Sequence, residues 1–226
     1  MKLLLLLLML AFPFRQEVEL DLLVPGSRDS IFSQYQNLNF QQKTTLTSEG
    51  LLIRTNYRQL PARALAVSLR LNREYLAELP PELRTTVSGL TTGIGDFSAL
   101  LEKLAVFFSG KMEYSQEDLP QDAFTVAATR RGHCLGFSNL TMVVLEAFSL
   151  EANLVKGLYL EERERDLEPV PHVWLEVDLP GVGSLFFDPQ YQVFSQQYLL
   201  VEHGIRLDET EKFPIKLLRR GRRLTD

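Results

Sequence analysis

Residues 134–150 read CLGFSNLTMVVLEAFSL. Ten of the sixteen residues after Cys134 are apolar, and Glu146 is the only charge among them. A helix that is apolar on nearly every side has to be buried. The stretch therefore predicts the central helix of a domain, with Cys134 in its first turn just after Gly132-His133. At a helix N-terminus the unpaired N–H groups and the dipole favour an anion. That setting lowers a thiol's pKa and makes the thiolate available.

Strands are expected downstream. Leu154 to Leu160 (LVKGLYL) is apolar enough for a strand, and 161–168 (EERERDLE) reads as a solvated hairpin loop. His172 to Asp178 (HVWLEVD) alternates as a half-buried strand. The turn Leu179-Pro180-Gly181 follows, then Ser184 to Asp188 (SLFFD), ended by Pro189. A hairpin centred on residue 180 sets His172 opposite Asp188, where Cβ atoms lie about 4.5–5.5 Å apart. A slip of two residues keeps both on one face. A carboxylate can then hold one imidazole nitrogen while the other faces a thiol, which is the logic of nucleophile, base and orienter. Taken singly, each residue has a plainer reading: a small buried hydrophobe, a structural strand histidine and a turn-capping aspartate.

Upstream, residues 17–80 look β-rich. Leu51 to Tyr57 and Ala62 to Leu71 are read as two short strands separated by Pro61. Residues 73–86 read as a helical stretch broken at Pro80-Pro81, and 91–95 as a turn. Asp96 is a good N-cap for the helix FSALLEKLAVFF, with Gly110 as its C-cap. Residues 111–114 suit a brief strand and 115–122 a polar loop.

The two ends differ in character. Residues 1–14 (MKLLLLLLMLAFPF) hold a positive residue and an apolar run of twelve. Such a run spans about 18 Å as a helix, short of the roughly 30 Å hydrocarbon core. This predicts a signal-peptide-like segment over 1–16 and an exported protein, tethered to the membrane if the segment is retained. Residues 212–226 carry six basic side chains against one acidic. They are read as a solvated tail, with weak contact to an anionic surface as the alternative.

Composition excludes several classes. Apolar residues are 45% and charged residues 23%, ordinary for a globular chain. A net charge of −5 argues against nucleic acid as partner. One cysteine and three histidines (His133, His172, His203) leave no internal disulfide and little material for a metal site. No dinucleotide, P-loop, zincin or G-x-S-x-G motif occurs. No cofactor and no metal are expected.

Gly132-His133-Cys134, a long buried helix, His172-Val173-Trp174-Leu175-Glu176-Val177 and Phe187-Asp188-Pro189, in that order, resemble the transglutaminase-like superfamily across about residues 90–192. The resemblance implies a papain-like α+β fold in which the cysteine helix packs on an antiparallel sheet carrying histidine and aspartate. It also implies Cys134 as nucleophile, His172 as general base and acid, and Asp188 as orienting carboxylate. Arylamine N-acetyltransferases use the same residue order, and Arg131-Gly132-His133-Cys134 faintly echoes their cysteine motif. Their aspartate lies in a D-V-G-F-G pattern, however, whereas this chain has Asp188-Pro189-Gln190-Tyr191.

The reading that follows has four parts: the signal-like segment 1–16, a β-rich region 17–85, a transglutaminase-like core 86–205 and a basic tail 206–226. The function expected is thioester-mediated acyl transfer or hydrolysis on peptide or protein amides, with a non-catalytic binding module as the alternative. Trp174 shares a face with His172 and is a candidate wall of the substrate cleft. Gln121 is the upstream candidate for a second oxyanion donor, beside the Cys134 backbone N–H. His133 is read as a solvated neighbour, and Arg130 and Arg131 as loop residues.

Overall fold

The computed structural model describes residues 15–26, 32–163, 166–191, 197–201 and 214–225. The predicted signal segment therefore lies outside the described residues, apart from its last two positions. In chain order the strands are β1 (Arg15–Pro25), β2 (Tyr35–Gln36), β3 (Phe40–Leu46) and β4 (Gly50–Arg58). Then come helices α1 (Ala62–Leu65), α2 (Arg73–Glu78), α3 (Pro81–Thr91) and α4 (Phe97–Lys111). β5 (Glu113–Tyr114), α5 (Ala123–Thr129), β6 (Arg131–Gly132) and α6 (Cys134–Glu146) follow. The chain continues with β7 (Ala152–Arg163), β8 (Asp166–Leu179), β9 (Gly183–Phe187), β10 (Tyr198–Leu200) and β11 (Lys216–Thr225).

The chain forms two compact units, each assembled from separated segments. The first comprises the described parts of Pro61–Leu154 and Trp174–Val193. α2, α4 and α6 begin where expected, at Arg73, Phe97 and Cys134, whereas α3 runs on to Thr91 and α5 was not expected. Asp96 caps α4 by accepting the Ala99 N–H at 2.9 Å, and Pro81 opens α3, where a missing N–H does no harm. Gly110 does not end α4; the helix runs through Lys111 to Met112. α6 is buried as its composition requires, with Leu140 and Val144 at its centre and Phe137 5.1 Å from Phe108. Residues 62–71 are not a strand. Pro61, its φ set by the ring, is the extended N-cap of the one-turn helix α1, and the strand pairing that remains is a lone bridge from Ser68 to Asp96.

The second unit comprises the described parts of Pro13–Leu60, Val155–Val173 and Phe194–Asp226. Its larger sheet has the order β11-β1-β4-β3-β2, antiparallel throughout. Leu20, Leu22 and Val24 alternate into a core shared with Phe32, Ile53, Leu158 and Leu160. In the same unit β10 pairs with β7. Buried Gln42 donates to the Leu200 carbonyl and accepts the Leu200 N–H, so β3 and β10 are joined by an amide that no water reaches.

Three expectations change here. Residues 216–225 are no free tail: β11 pairs with the acidic strand β1, setting Arg219 across from Asp21 and Gly221 across from Glu19. The two units are not laid out as the consecutive regions 17–85, 86–205 and 206–226, since β1 and β11, distant in sequence, share one sheet. The charged stretch 161–168 is strand over its described residues: β7 runs through Arg163 and β8 resumes at Asp166.

Candidate functional site

The segment before Cys134 is positioned by α5 and by the short β5–β6 pair. Asp122 caps α5 by accepting the Thr125 N–H at 2.9 Å, and this bond holds its carboxyl below the usual range. α5 ends at Arg130 in the left-handed region (φ 59°, ψ 24°), with the Arg130 N–H on the Val126 carbonyl. β6 then runs parallel to β5, fixed by Glu113 N–H to the Arg130 carbonyl (2.8 Å) and Ser115 N–H to the Gly132 carbonyl (2.9 Å). The chain is thus aimed into α6 before the nucleophile candidate is reached.

Cys134 is the first residue of α6 and is half-buried. His133 is the N-cap: its Nδ1 accepts the Leu135 N–H at 3.3 Å and lies 3.9 Å from Cys134 Sγ. For Nδ1 to accept, the ring proton must sit on Nε2. Burial pushes this imidazole below its ordinary value of 6.5, which favours the neutral form the cap needs. Among the described residues the Cys134 N–H meets no acceptor.

Gln121 is placed against the same turn. Its Oε1 accepts the His133 N–H at 3.0 Å, and its backbone carbonyl accepts from Asn139 Nδ2 at 2.7 Å. One of its amide protons goes to the Leu119 carbonyl at 2.8 Å. The close approach depends on Gly136: a Cβ there would lie 2.4 Å from Gln121 Oε1 and 2.7 Å from Val126 Cγ2.

His172 lies on β8 in the second unit and is 4% exposed. Its ring sits 5.9 Å from each of Tyr159 and Tyr198, centroid to centroid, and those two tyrosines are 5.1 Å apart. Trp174 and Asp188 belong to the first unit and are fully buried. Trp174 meets the edge of Phe186 at 5.9 Å. Trp174 thus sits in packed surroundings rather than at an open surface.

Asp188 follows β9. Its Oδ1 accepts the N–H of Gln190 at 2.8 Å and of Tyr191 at 3.4 Å, a turn built on the aspartate itself. The β8–β9 register pairs Leu175 with Phe187 and closes at Leu179 with Gly183. The hairpin is therefore centred on residue 181, not 180, because its loop holds three residues around Gly181 (φ +73°). Continued by one step, this register sets Asp188 across from Trp174, two residues from the predicted partner His172.

The structure thus brings Gln121, His133 and Cys134 together at one helix start. The sequence had assigned His133 no role. Histidine is not among the usual N-cap residues, so local propensity gives no signal for it. Tyr159 and Tyr198 were missed because they meet His172 only through strand pairing. Among the described residues no three His, Cys, Asp or Glu side chains cluster as a metal would need. No described helix is long and apolar enough to cross a membrane.

A family model described as the Transglutaminase-like superfamily matches residues 84–189, slightly under half of the chain. An uncharacterized protein of Mycobacterium leprae is 30% identical over 101 residues, covering 42% of this chain and 35% of its own length. The chain thus spans about a third of that relative. A solved structure from Cytophaga hutchinsonii, named as a cysteine protease, aligns over 94% of this chain and 87% of its own, with 13% identity and a TM-score of 0.49. Another, named as a TGase, covers 77% of this chain and 50% of its own, with 12% identity and a TM-score of 0.39.

Proposed function

We propose that this chain, whose residues 84–189 carry the transglutaminase-like core, is a cysteine enzyme that forms and resolves a thioester on peptide or protein amides. The observation that carries the reading is the setting of Cys134. It is the first residue of a buried helix, beside a neutral histidine cap, and among the described residues its own N–H meets no acceptor.

In the proposed reaction the Cys134 thiolate adds to an amide carbonyl. The developing oxyanion is held by the Cys134 N–H and by a second donor. Gln121 is our choice for that donor. Its side-chain amide has two protons, one of which is already given to Leu119. As the C–N bond breaks, His172 in the role of acid gives its proton to the leaving amine, and the acyl group stays on sulfur. His172 then takes a proton from the incoming water or amine, whose attack breaks the C–S bond, releases the acyl group and restores the thiolate beside a protonated His172. Asp188 is assigned the orienting part. Water as acceptor makes the protein a peptidase or amidase; a lysine amine makes it a crosslinking transferase. Export, read from residues 1–14, belongs to the same proposal.

The test is turnover of a peptide amide by the full chain. Cys134→Ala is expected to abolish turnover with the fold intact by circular dichroism, since a small residue fits the first helical position. Asp188→Asn is expected to lower kcat with little change in substrate binding. Full activity in Cys134→Ala would overturn the mechanism.

A further inference from the structure

Behind the nucleophile's segment, α3, α4 and the C-cap of α5 line a pocket of about 320 Å³. Three cations line it, Lys103, Lys111 and Arg130, and no acidic side chain among the described residues does, in a chain whose net charge is −5. Buried Leu90 and Phe107 form apolar wall.

Arg130 is the informative member. Its guanidinium lies 5.1 Å from the Phe107 ring centroid, and Nη2 donates to Thr86 Oγ1 at 3.1 Å. Nη1 is buried and, among the described residues, meets no acceptor. The next residue behaves differently: Arg131 places its guanidinium on the Glu117 carboxylate at 2.7 and 2.8 Å. Lys103 gives its ammonium to the Thr92 carbonyl at 2.7 Å, whereas Lys111 is exposed and has no ion-pair partner among the described residues. A buried guanidinium N–H without an acceptor is costly, and a charged acceptor is its strongest complement. The pocket thus gathers a fixed cation in Arg130 and an adjustable one in Lys111, and among the described residues its lining holds no carboxylate.

We propose that this pocket binds a small oxyanionic ligand, bearing a phosphate or a carboxylate, through Arg130 and Lys111. The site is separate from Cys134 chemistry and stands whether or not the enzyme reading does. Gly89 supplies a clean way to close it. It lies on α3 at the pocket lining, and a Cβ there meets nothing within 4 Å. Gly89→Glu therefore brings a carboxylate to the cations without a backbone clash, and helix propensity favours the change.

The experiment titrates the full chain with sodium phosphate and, separately, with sodium succinate. Both series run at low ionic strength, with sodium chloride at matched ionic strength as reference. Binding is read from the amide NMR shifts of residues 85–90 and 130. Saturable shifts with either anion and not with chloride are expected, and the anion that saturates identifies the group as phosphate or carboxylate. Lys111→Gln and Gly89→Glu should each weaken binding by about tenfold or more, the effect of losing or neutralising one charge-assisted contact. Arg130→Gln should do the same. Should Arg130→Gln fail to fold, the other two variants decide. No saturation with either anion, equal shifts with chloride, or unchanged affinity in Lys111→Gln and Gly89→Glu would overturn the proposal.

Discussion

The start of α6 and the β1–β11 ladder are both held by polar groups, but of different kinds. At α6 the contacts are uncharged and sheltered: His133 N–H on Gln121, Leu135 N–H on His133, Asn139 on the Gln121 carbonyl. At the ladder they are ionic and partly wet. Arg54 and Arg219 both reach Asp21, at 2.6 and 3.2 Å, and Arg219 also reaches Glu19 at 3.1 Å. Neutral contacts in a packed setting depend on shape and ignore salt. Exposed ion pairs tolerate rearrangement, and salt screens them. The protein thus keeps its geometric precision where Cys134 sits and uses charge to fasten two distant stretches of chain.

The largest effect should come from the packing under α6. Leu140→Ala removes a fully buried side chain and is expected to lower stability by about 2–5 kcal/mol, whereas Leu218→Ala, on the exposed part of β11, should stay within about 0.5 kcal/mol. Chemical denaturation checks the pair, and similar losses would erase the contrast. A smaller effect is expected from Gly136→Ala. The added methyl meets Gln121 and Val126 and should cost about 1–3 kcal/mol, offset by about 1 kcal/mol of helix propensity. A net gain in stability would mean that Gln121 is free to withdraw.

The smallest effects lie in pH. Burial holds His133 below 6.5, so the unfolded chain takes up a proton first. The stability tied to this site is fully present above about pH 6.5 and is lost as pH falls from there through the lowered folded value. The hydrogen bond from Arg54 is the first cause that lowers Asp21 from 3.8. Its stability is present above about pH 3.8 and is lost as pH falls through the folded value, by an amount kept small because Arg54 is half exposed. Amide exchange at Leu135 and at Leu22 should therefore respond in two separate windows. His133→Asn, which keeps an acceptor at the cap, should remove the upper one. A single shared window would contradict the distinction.

Much of this was legible in the sequence, and the reasons differ by region. The α6 run and the HVWLEVD strand announce themselves by apolar pattern, and Asp96 by its capping chemistry, because these are local signals. β11 was not legible. KLLRRGRRLT lacks alternation, and in the ladder Leu218 is the residue passed over where the register shifts between Asp21 and Leu22. Its strand character comes from acidic β1, some two hundred residues away. The Tyr159–His172–Tyr198 cluster was hidden for the same reason, since strand pairing makes it, whereas the local His133 cap was hidden because histidine is not a usual N-cap residue. The hairpin register was nearly legible and missed by two residues, because the loop length turns on Gly181 and Gly183, both at positive φ.

The central claim is that Cys134 and His172 work as a pair. It is tested most directly by the pH dependence of Cys134 alkylation with iodoacetamide, in the wild type and in His172→Ala. Unperturbed thiols titrate near 8.5, and paired catalytic thiols at about 3.5–7.5. The account predicts rapid alkylation that persists well below pH 7.5 and disappears in His172→Ala. One titration near 8.5, the same in both proteins, would contradict it.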